Sequence, residues 1–327
     1  MSLTRELDRA DSPVNQFFST YLDAERTTMF LKRVRKQQRS WPLRAEPTPD
    51  ASRQAVVIGT AFDYLVRSVT WGLTLEDTTA AMAVIRETGF QWVDVSDGGI
   101  LLDTRTGEHY DLRDLAKLES TDPRFGRRRW LLERWKEILE RWPTASGSHA
   151  DPQPIALMVL VAWIEGIFRT GQWATALVEG WQKGRNLEDL IADVSPAVIE
   201  DLSNLLERYR TSQLPVWVER SVQANPSFRG SRDVGGADAD WIVDQTLWDM
   251  KTTKNPAPSL ASDVKQILGY ALLDYDDRYH IERVGLYYPR FSETLAWSVT
   301  ELLADLSGVS QTLSEWRQKW QDMISLA

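Results

Sequence analysis

The sequence contains no cysteine among its 327 residues. This absence excludes disulfide bridges, thiolate zinc sites, cysteine-ligated iron–sulfur clusters and a cysteine nucleophile. The N-terminal stretch MSLTRELDRADS lacks the basic and then apolar order of a signal peptide. The longest apolar run, from Pro154 to Trp163, is shorter than the roughly 20 residues that span a bilayer. We therefore expect a cytoplasmic protein that does not associate with membranes.

A phosphate-binding loop of the form GxxxxGK[ST] is also missing, so no nucleotide-hydrolysing motor is expected. The formal net charge of −9 excludes a generally basic surface for nucleic acid. The basic residues are nevertheless clustered, in residues 32–44, 124–129 and 229–232. These clusters are compatible with a locally basic cleft, and equally with solvated faces and helix ends.

Hydrophobic spacing divides the chain into a helical first part and a mixed last part. The spacing predicts N-terminal helices within residues 12–72 and a mostly helical region over residues 75–214. Alternation within residues 90–112 indicates two or three short strands or an irregular insertion in that region. Residues 215–327 follow the order β-β-β-α-β-β-α, with strands predicted at 215–223, 241–243, 247–250, 282–288 and 294–299. The predicted fold class is therefore α/β (α+β).

The stretch DADWIVDQTLWDMKTTKNP, residues 238–256, has the pattern of a hairpin with acidic residues at its base. Residues two apart share a face of a strand, so Asp249 and Lys251 point the same way. Asp238 and Asp240 share a face of the preceding strand for the same reason. A short turn between the two strands would place Asp240 opposite the neighbourhood of Asp249.

Two carboxylates on adjacent strands can converge on one hard cation such as Mg²⁺, and the Met250 carbonyl is a third candidate ligand. The Lys251 ammonium can then orient an attacking water or stabilise charge on a phosphate. A bound metal lowers the pKa of water and neutralises phosphate oxygens, so this set is suited to phosphodiester hydrolysis. The pattern alone leaves an alternative open, namely an exposed hairpin with a cross-strand ion pair.

The helix predicted after the hairpin carries Gln266 and Tyr270, which lie four residues apart and hence on one helix face. An amide and a hydroxyl at these positions can face the metal cleft and contact a phosphate or a base. Taken singly, Gln266 is an ordinary surface amide and Tyr270 an ordinary core aromatic. The ordered set of Asp240, Asp249, Lys251, Gln266 and Tyr270 is what favours a site.

This ordered set resembles the PD-(D/E)XK nuclease superfamily, and specifically its RecB-like exonuclease branch. The branch has an Asp followed by apolar residues, then (D/E)xK on the next strand, then QxxxY on the following helix. Here these are DWIV, DMK and QILGY within residues 240–270. The resemblance implies a restriction-endonuclease-like core over residues 215–327, in which a central mixed sheet is flanked by helices. It implies a single nuclease-like domain, with residues 12–72 joining the core and residues 75–214 forming an insertion.

The resemblance also implies roles for individual residues. Asp240 and Asp249 would bind Mg²⁺ or Mn²⁺, Lys251 would assist the water, and Gln266 and Tyr270 would contact DNA or support the site. Many relatives hold a four-cysteine iron–sulfur cluster, which this cysteine-free chain cannot bind.

Two further aspartates are candidate metal ligands. The branch often has an upstream Gly-Thr-x-x-His helix whose His binds metal, and here Gly59-Thr60-Ala-Phe-Asp63 places Asp63 in that position. A carboxylate suits Mg²⁺ better than an imidazole does, although Asp63 is also explained as an acidic residue early in a helix. Asp238 is an additional candidate, because periodicity does not distinguish it from Asp240.

Three hypotheses for function follow. The first is a DNA nuclease that depends on Mg²⁺ or Mn²⁺, with DNA as its partner. The second is a catalytically inert DNA-binding or adaptor subunit of a larger repair, phage or defence complex, alongside a protein partner such as a helicase or recombinase. The third is an unrelated helical protein whose small sheet mimics the motif.

Overall fold

The structure is a computed structural model that describes residues 3–72, 74–94, 100–111, 125–145, 153–218, 220–237 and 239–325. It is a mixed α/β protein in which helices predominate, so the predicted fold class is confirmed at this level. The α-helices are Leu3–Asp8, Pro13–Tyr21, Ala24–Gln38, Pro49–Ser52, Ala55–Trp71, Thr79–Thr88, Phe125–Ala145, Gln153–Thr170, Thr175–Gln182, Leu187–Ala192, Pro196–Ser212, Leu214–Trp217, Leu260–Leu273, Val299–Ser307 and Leu313–Ser325. Short 3₁₀ helices span Leu75–Asp77 and Arg229–Val234.

The strands form two sheets. The first is antiparallel, in the order β1 (Phe90–Asp94), β2 (Ile100–Asp103) and β3 (His109–Asp111), so the short strands predicted within residues 90–112 are confirmed. The second has the order β4-β5-β6-β7-β8, in which β6 and β7 are parallel and the other neighbours antiparallel. Its strands are β4 (Val222–Ala224), β5 (Trp241–Val243), β6 (Thr246–Met250), β7 (Arg283–Tyr288) and β8 (Glu293–Ser298).

The strand predicted over residues 215–223 is wrong for most of its length. The chain forms a helical turn at Leu214–Trp217 and becomes a strand only at Val222. Pro215 stands in the first helical turn, where its fixed φ suits a helix and its missing N–H costs nothing. The alternation of apolar and polar residues in this segment includes Trp217, which is 3% exposed because it packs from a helical turn and not from a paired strand.

Two segments with continuous helical spacing are divided by local caps. The N-terminal segment breaks after Tyr21, because the Asp23 side chain accepts a hydrogen bond from Arg26 N and starts a new helix. The C-terminal segment breaks at Gly308, whose φ of 77° ends the helix Val299–Ser307 in the left-handed conformation. Ser12 is the N-cap of the helix Pro13–Tyr21, and its side chain accepts a hydrogen bond from Asn15 N.

The chain forms two compact units. The sheet unit comprises residues 1–46 and 207–327, and the helical unit comprises residues 47–206. The five-stranded sheet belongs to the sheet unit, and the three-stranded sheet belongs to the helical unit.

The two faces of the five-stranded sheet are built differently. One face carries Ile242 and Leu247 and is covered by the helix Leu260–Leu273, here named the site helix, within the main apolar core of the sheet unit. The other face is aromatic, because Trp217 packs against Trp241 and Trp248 with ring centroids 5.6 and 5.4 Å apart. The indole of Trp248 leaves no room for a side chain at its parallel neighbour Gly285, where an added Cβ would lie 2.4 Å from the ring.

In the helical unit, the helix Gln153–Thr170 packs against Ala55–Trp71 and Thr79–Thr88. Within the described residues it is the one helix long and apolar enough to cross a membrane, and 72% of it is buried inside the protein. Its buried Glu165 accepts a hydrogen bond from Tyr64 and forms an ion pair with Arg169. These properties are those of a core helix with a neutralised carboxylate.

Candidate active site

The hairpin of β5 and β6 brings the two predicted metal-binding aspartates together. Its turn residues Asp244 and Gln245 have φ values of 45° and 63°, which is the left-handed pair of a type I′ turn. This turn sets Trp241 opposite Trp248, so Asp240, one residue before β5, lies opposite Asp249. Directly opposed residues of an antiparallel pair project from the same face.

The Asp240 carboxylate is held in place by the hairpin itself. Its Oδ2 accepts a hydrogen bond of 2.6 Å from the backbone N–H of Met250, one residue beyond Asp249. Asp249 lies on β6 and is 5% exposed, beneath the site helix. The structure therefore places Asp240, Asp249 and Met250 together. Asp238 lies outside the described residues.

Lys251 extends the parallel pairing of β6 with β7, since its N–H donates to Tyr287 O at 2.8 Å. Its side chain turns to the face of Asp249, as residues two apart in a strand do, and Nζ lies 2.6 Å from Asp249 Oδ2. The same ammonium donates to Gln266 Oε1 at 2.8 Å. Lys251 therefore joins the sheet to the site helix.

The two predicted residues of the site helix are in contact with each other. Gln266 Nε2 donates to the Tyr270 hydroxyl at 2.8 Å and to Thr4 Oγ1 at 3.2 Å. The Tyr270 ring stacks on Phe228, with centroids 6.1 Å apart. The result is a continuous chain of contacts from Asp249 through Lys251 and Gln266 to Tyr270.

Asp263 is a site residue to which the sequence reasoning assigned no role. It is 5% exposed, its Oδ1 lies 3.6 Å from Lys251 Nζ, and its Oδ2 accepts from Ser259 at 2.9 Å. It precedes Gln266 by three residues, so the two share a face of the site helix. The D-x-x-Q spacing is the feature of the sequence that could have identified Asp263 as a neighbour of Gln266.

Electrostatics fix the protonation state of the ammonium. Burial alone would lower the pKa of Lys251, but the carboxylates of Asp249 and Asp263 outweigh burial and hold that pKa well above its usual range. Lys251 is therefore a cation at neutral pH and is not a proton acceptor. Burial also raises the pKa of Tyr270 well above its usual range, so this side chain is a neutral phenol.

The Asp263 carboxyl titrates in an unusual range. Burial, with a further contribution from the Asp249 charge, raises its pKa to about 6 against the opposing effect of Lys251. The buried carboxylates of Asp249 and Asp263 thus both pair with the ammonium of Lys251.

The donor chemistry fits a hard divalent cation. Asp249 Oδ2 is fully buried, and within the described residues it faces the Lys251 ammonium at 2.6 Å. A buried carboxylate oxygen is stabilised by a nearby cation. The described residues contain no group of three or more His, Cys, Asp or Glu arranged to hold a metal. Mg²⁺ fits this sparse set, since it takes few protein ligands and keeps several waters.

Asp63 belongs to the helical unit, where it lies on the helix Ala55–Trp71. It is 8% exposed and forms an ion pair with Arg67, one turn along the same helix. Its Oδ2 is engaged by Arg67, and its buried Oδ1 has no hydrogen bond within the described residues. A role for Asp63 as a metal ligand stays a prediction.

Comparisons with family models, with curated proteins and with solved structures gave no match. Any assignment of function therefore rests on the residues and geometry of this chain.

The raised pKa of Asp263 predicts a pH-dependent stability in metal-free protein. The folded pKa of about 6 exceeds the usual 3.8, so the folded state binds the proton more tightly than the unfolded state. Stability should therefore fall as pH rises from about 4 to about 6, by on the order of 2–3 kcal/mol from this group. Asp263→Asn should remove that fall, as measured by urea unfolding in EDTA across this pH range.

The matched control for this prediction is Asp276→Asn, which removes an exposed carboxylate in the turn that follows the site helix. It should leave the pH dependence of the wild type unchanged. If Asp263→Asn and the wild type showed parallel stability curves between pH 4 and 6, the assignment of this titration to Asp263 would be wrong.

Proposed function

We propose that the chain is a metal-dependent nuclease of the PD-(D/E)XK type, in the RecB-like branch, that hydrolyses phosphodiester bonds in DNA. The observation that carries the proposal is the contact chain Asp249–Lys251–Gln266–Tyr270, with Asp240 in register opposite Asp249. The five residues of the motif come from the β5–β6 hairpin and the site helix, and Asp249 and Tyr270 are buried while Asp240, Lys251 and Gln266 are half-buried. An exposed hairpin with a surface ion pair does not account for this burial.

The fold supports the same proposal. The motif lies on a mixed sheet in which β6 and β7 are parallel, and the site helix connects these two strands and covers one face. This is the strand–helix–strand arrangement expected of a restriction-endonuclease-like core. We therefore place the proposed catalytic core in the sheet unit.

In the proposed mechanism, Asp240, Asp249 and the Met250 carbonyl would hold Mg²⁺ or Mn²⁺. When bound, such a cation would lower the pKa of water and offset the negative charge of the scissile phosphate. Lys251, as a permanent cation, orients the water and stabilises negative charge that develops on the phosphate oxygens. Gln266 positions Lys251 by accepting from its ammonium, and Tyr270 fixes the amide of Gln266.

The test is cleavage of linear and circular DNA, single- and double-stranded, by the purified chain with Mg²⁺ or Mn²⁺ and with EDTA. We expect cleavage only when metal is present. Cleavage of circular DNA would identify an endonuclease, and cleavage of linear DNA alone an exonuclease. Lys251→Ala should still bind Mg²⁺ in calorimetry but cleave at least about 100-fold more slowly. Absence of cleavage on every substrate with both metals would refute the nuclease proposal.

One observation favours the inert adaptor as a second candidate. Asp63, which stands where the branch usually has a metal-binding His, is already paired with Arg67. An adaptor should bind DNA equally well with Mg²⁺ and with EDTA and should break no phosphodiester bond. Calorimetry that detects Mg²⁺ binding in the wild type and not in Asp249→Asn would argue against an adaptor.

A further inference from the structure

The helix Ala24–Gln38, here named the basic helix, has two chemically distinct faces. Its buried face consists of Phe30, Leu31, Val34 and Gln38. At 100° per residue, Lys32, Lys36 and Arg39 fall within an arc of about 60° on the opposite side. Arg39 is the C-cap residue and keeps helical angles, with φ −66° and ψ −20°, so it continues the same row. These three exposed residues are named the basic stripe.

Within the described residues, no carboxylate neutralises the charges of the basic stripe. None of its three side chains forms an ion pair with a carboxylate in the part of the chain that the structure describes. The neighbouring Arg33, by contrast, pairs with Asp305 at 3.2 Å. The helix dipole favours cations in the last turn, which accounts for Lys36 and Arg39 but not for Lys32. The row as a whole is therefore not explained by helix stability.

The basic helix and the segment after it are hydrogen-bonded to the segment that follows Lys251. Arg35, on the flank of the basic helix, donates from Nε to Ala257 O at 3.0 Å, in the loop that leaves Lys251. A second set of hydrogen bonds connects the segment after the basic helix to the residues that follow Lys251. In it, Arg44 N donates to Arg290 O at 2.8 Å. Arg290 Nε in turn donates to Thr252 O at 2.6 Å, one residue beyond Lys251. All residues in these two connections belong to the sheet unit.

We propose that the basic stripe binds the phosphate backbone of the nucleic acid next to the site, an inference that rests on the proposed function for the identity of the ligand. Lys32 and Arg39 are seven residues apart, which is about 10 Å along a helix axis. One DNA strand carries a phosphate roughly every 3.4 Å of helix axis, so the stripe spans about three phosphate spacings. Lysine and arginine in such a row contact phosphates without reading bases, so the binding is sequence-independent.

The test compares two double variants that remove the same charge. The variant Lys36→Gln/Arg39→Gln removes two charges of the basic stripe. The control variant Arg278→Gln/Arg283→Gln removes two exposed arginines, one in the loop after the site helix and one at the first residue of β7. Binding to a fluorescein-labelled oligonucleotide of about 20 nucleotides, single-stranded or duplex, is followed by fluorescence anisotropy in EDTA. Salt is varied between about 50 and about 200 mM.

We expect the stripe variant to bind at least about tenfold more weakly at low salt. Its plot of log K against log salt should be shallower by about 1.4 for single strands and about 1.8 for duplex, since two phosphate contacts are lost. The control variant should keep the affinity and slope of the wild type. Circular dichroism checks that both variants are folded.

The outcomes separate this proposal from the nuclease proposal. If the stripe variant and the wild type had equal affinity for the oligonucleotide and equal salt dependence, the proposed role of the basic stripe would be wrong, even if the wild type cleaves DNA. Failure of the wild type to bind either oligonucleotide in EDTA would overturn it as well. If the stripe variant loses affinity while no substrate is cleaved with Mg²⁺ or Mn²⁺, the stripe stands and the nuclease proposal fails.

Discussion

Asp249→Asn is expected to lower the rate of Mg²⁺-dependent DNA cleavage by at least about 100-fold, because loss of even an outer-shell partner of a metal costs 10- to 100-fold. The substitution keeps the shape of the side chain and removes the charge that would bind the cation. Its Oδ2 is buried and lies 2.6 Å from the Lys251 ammonium, so this charge acts electrostatically. Initial rates over a Mg²⁺ titration measure the effect.

Asp244→Asn is the matched control for this prediction. Asp244 lies in the turn of the same hairpin, is exposed, and pairs with Arg220 at 2.9 Å. Its φ of 45° is also accessible to asparagine, so the turn should be preserved. Activity should remain close to that of the wild type. Equal activity of Asp249→Asn and Asp244→Asn would remove Asp249 from the mechanism.

The arrangement of the hairpin could be predicted because short-range rules determine it. Side-chain alternation puts Asp249 and Lys251 on one face, and a two-residue turn then sets Asp240 opposite Asp249. The contact between Gln266 and Tyr270 likewise follows from helical spacing. Each of these relations lies within one element or one hairpin.

The relations that could not be predicted involve packing between distant elements. An aspartate in the first turn of a helix, such as Asp263, is expected there for its effect on the helix dipole alone. Only the packing of the site helix on the sheet brings it to Lys251. The strand predicted over residues 215–223 is wrong for a similar reason. Its apolar residue Trp217 is buried because it packs on the aromatic face from a helical turn that contains Pro215, and not because the segment pairs as a strand.

Arg317→Met should destabilise the protein by about 3–5 kcal/mol, the cost of leaving one partner of a buried ion pair alone. Arg317 is 6% exposed and binds the end of the site helix through three nitrogens. Nε donates to Ala271 O at 3.1 Å, Nη2 to Asp274 at 3.0 Å and Nη1 to Asp277 at 2.6 Å. Asp274 is fully buried, so methionine would leave its carboxylate without this cation. Urea unfolding at pH 7 measures the loss.

The control is Arg33→Met, the same substitution in an arginine that also pairs with an aspartate. Arg33 and Asp305 are 69% and 60% exposed, so its loss should cost less than about 1 kcal/mol. Burial raises the pKa of Asp274 and Arg317 opposes that rise, so removing Arg317 raises the pKa further. The destabilisation should therefore shrink at acidic pH, where Asp274 is protonated. A cost that is equal at pH 7 and pH 4 would mean that Arg317 acts through packing of its stem and not through its charge.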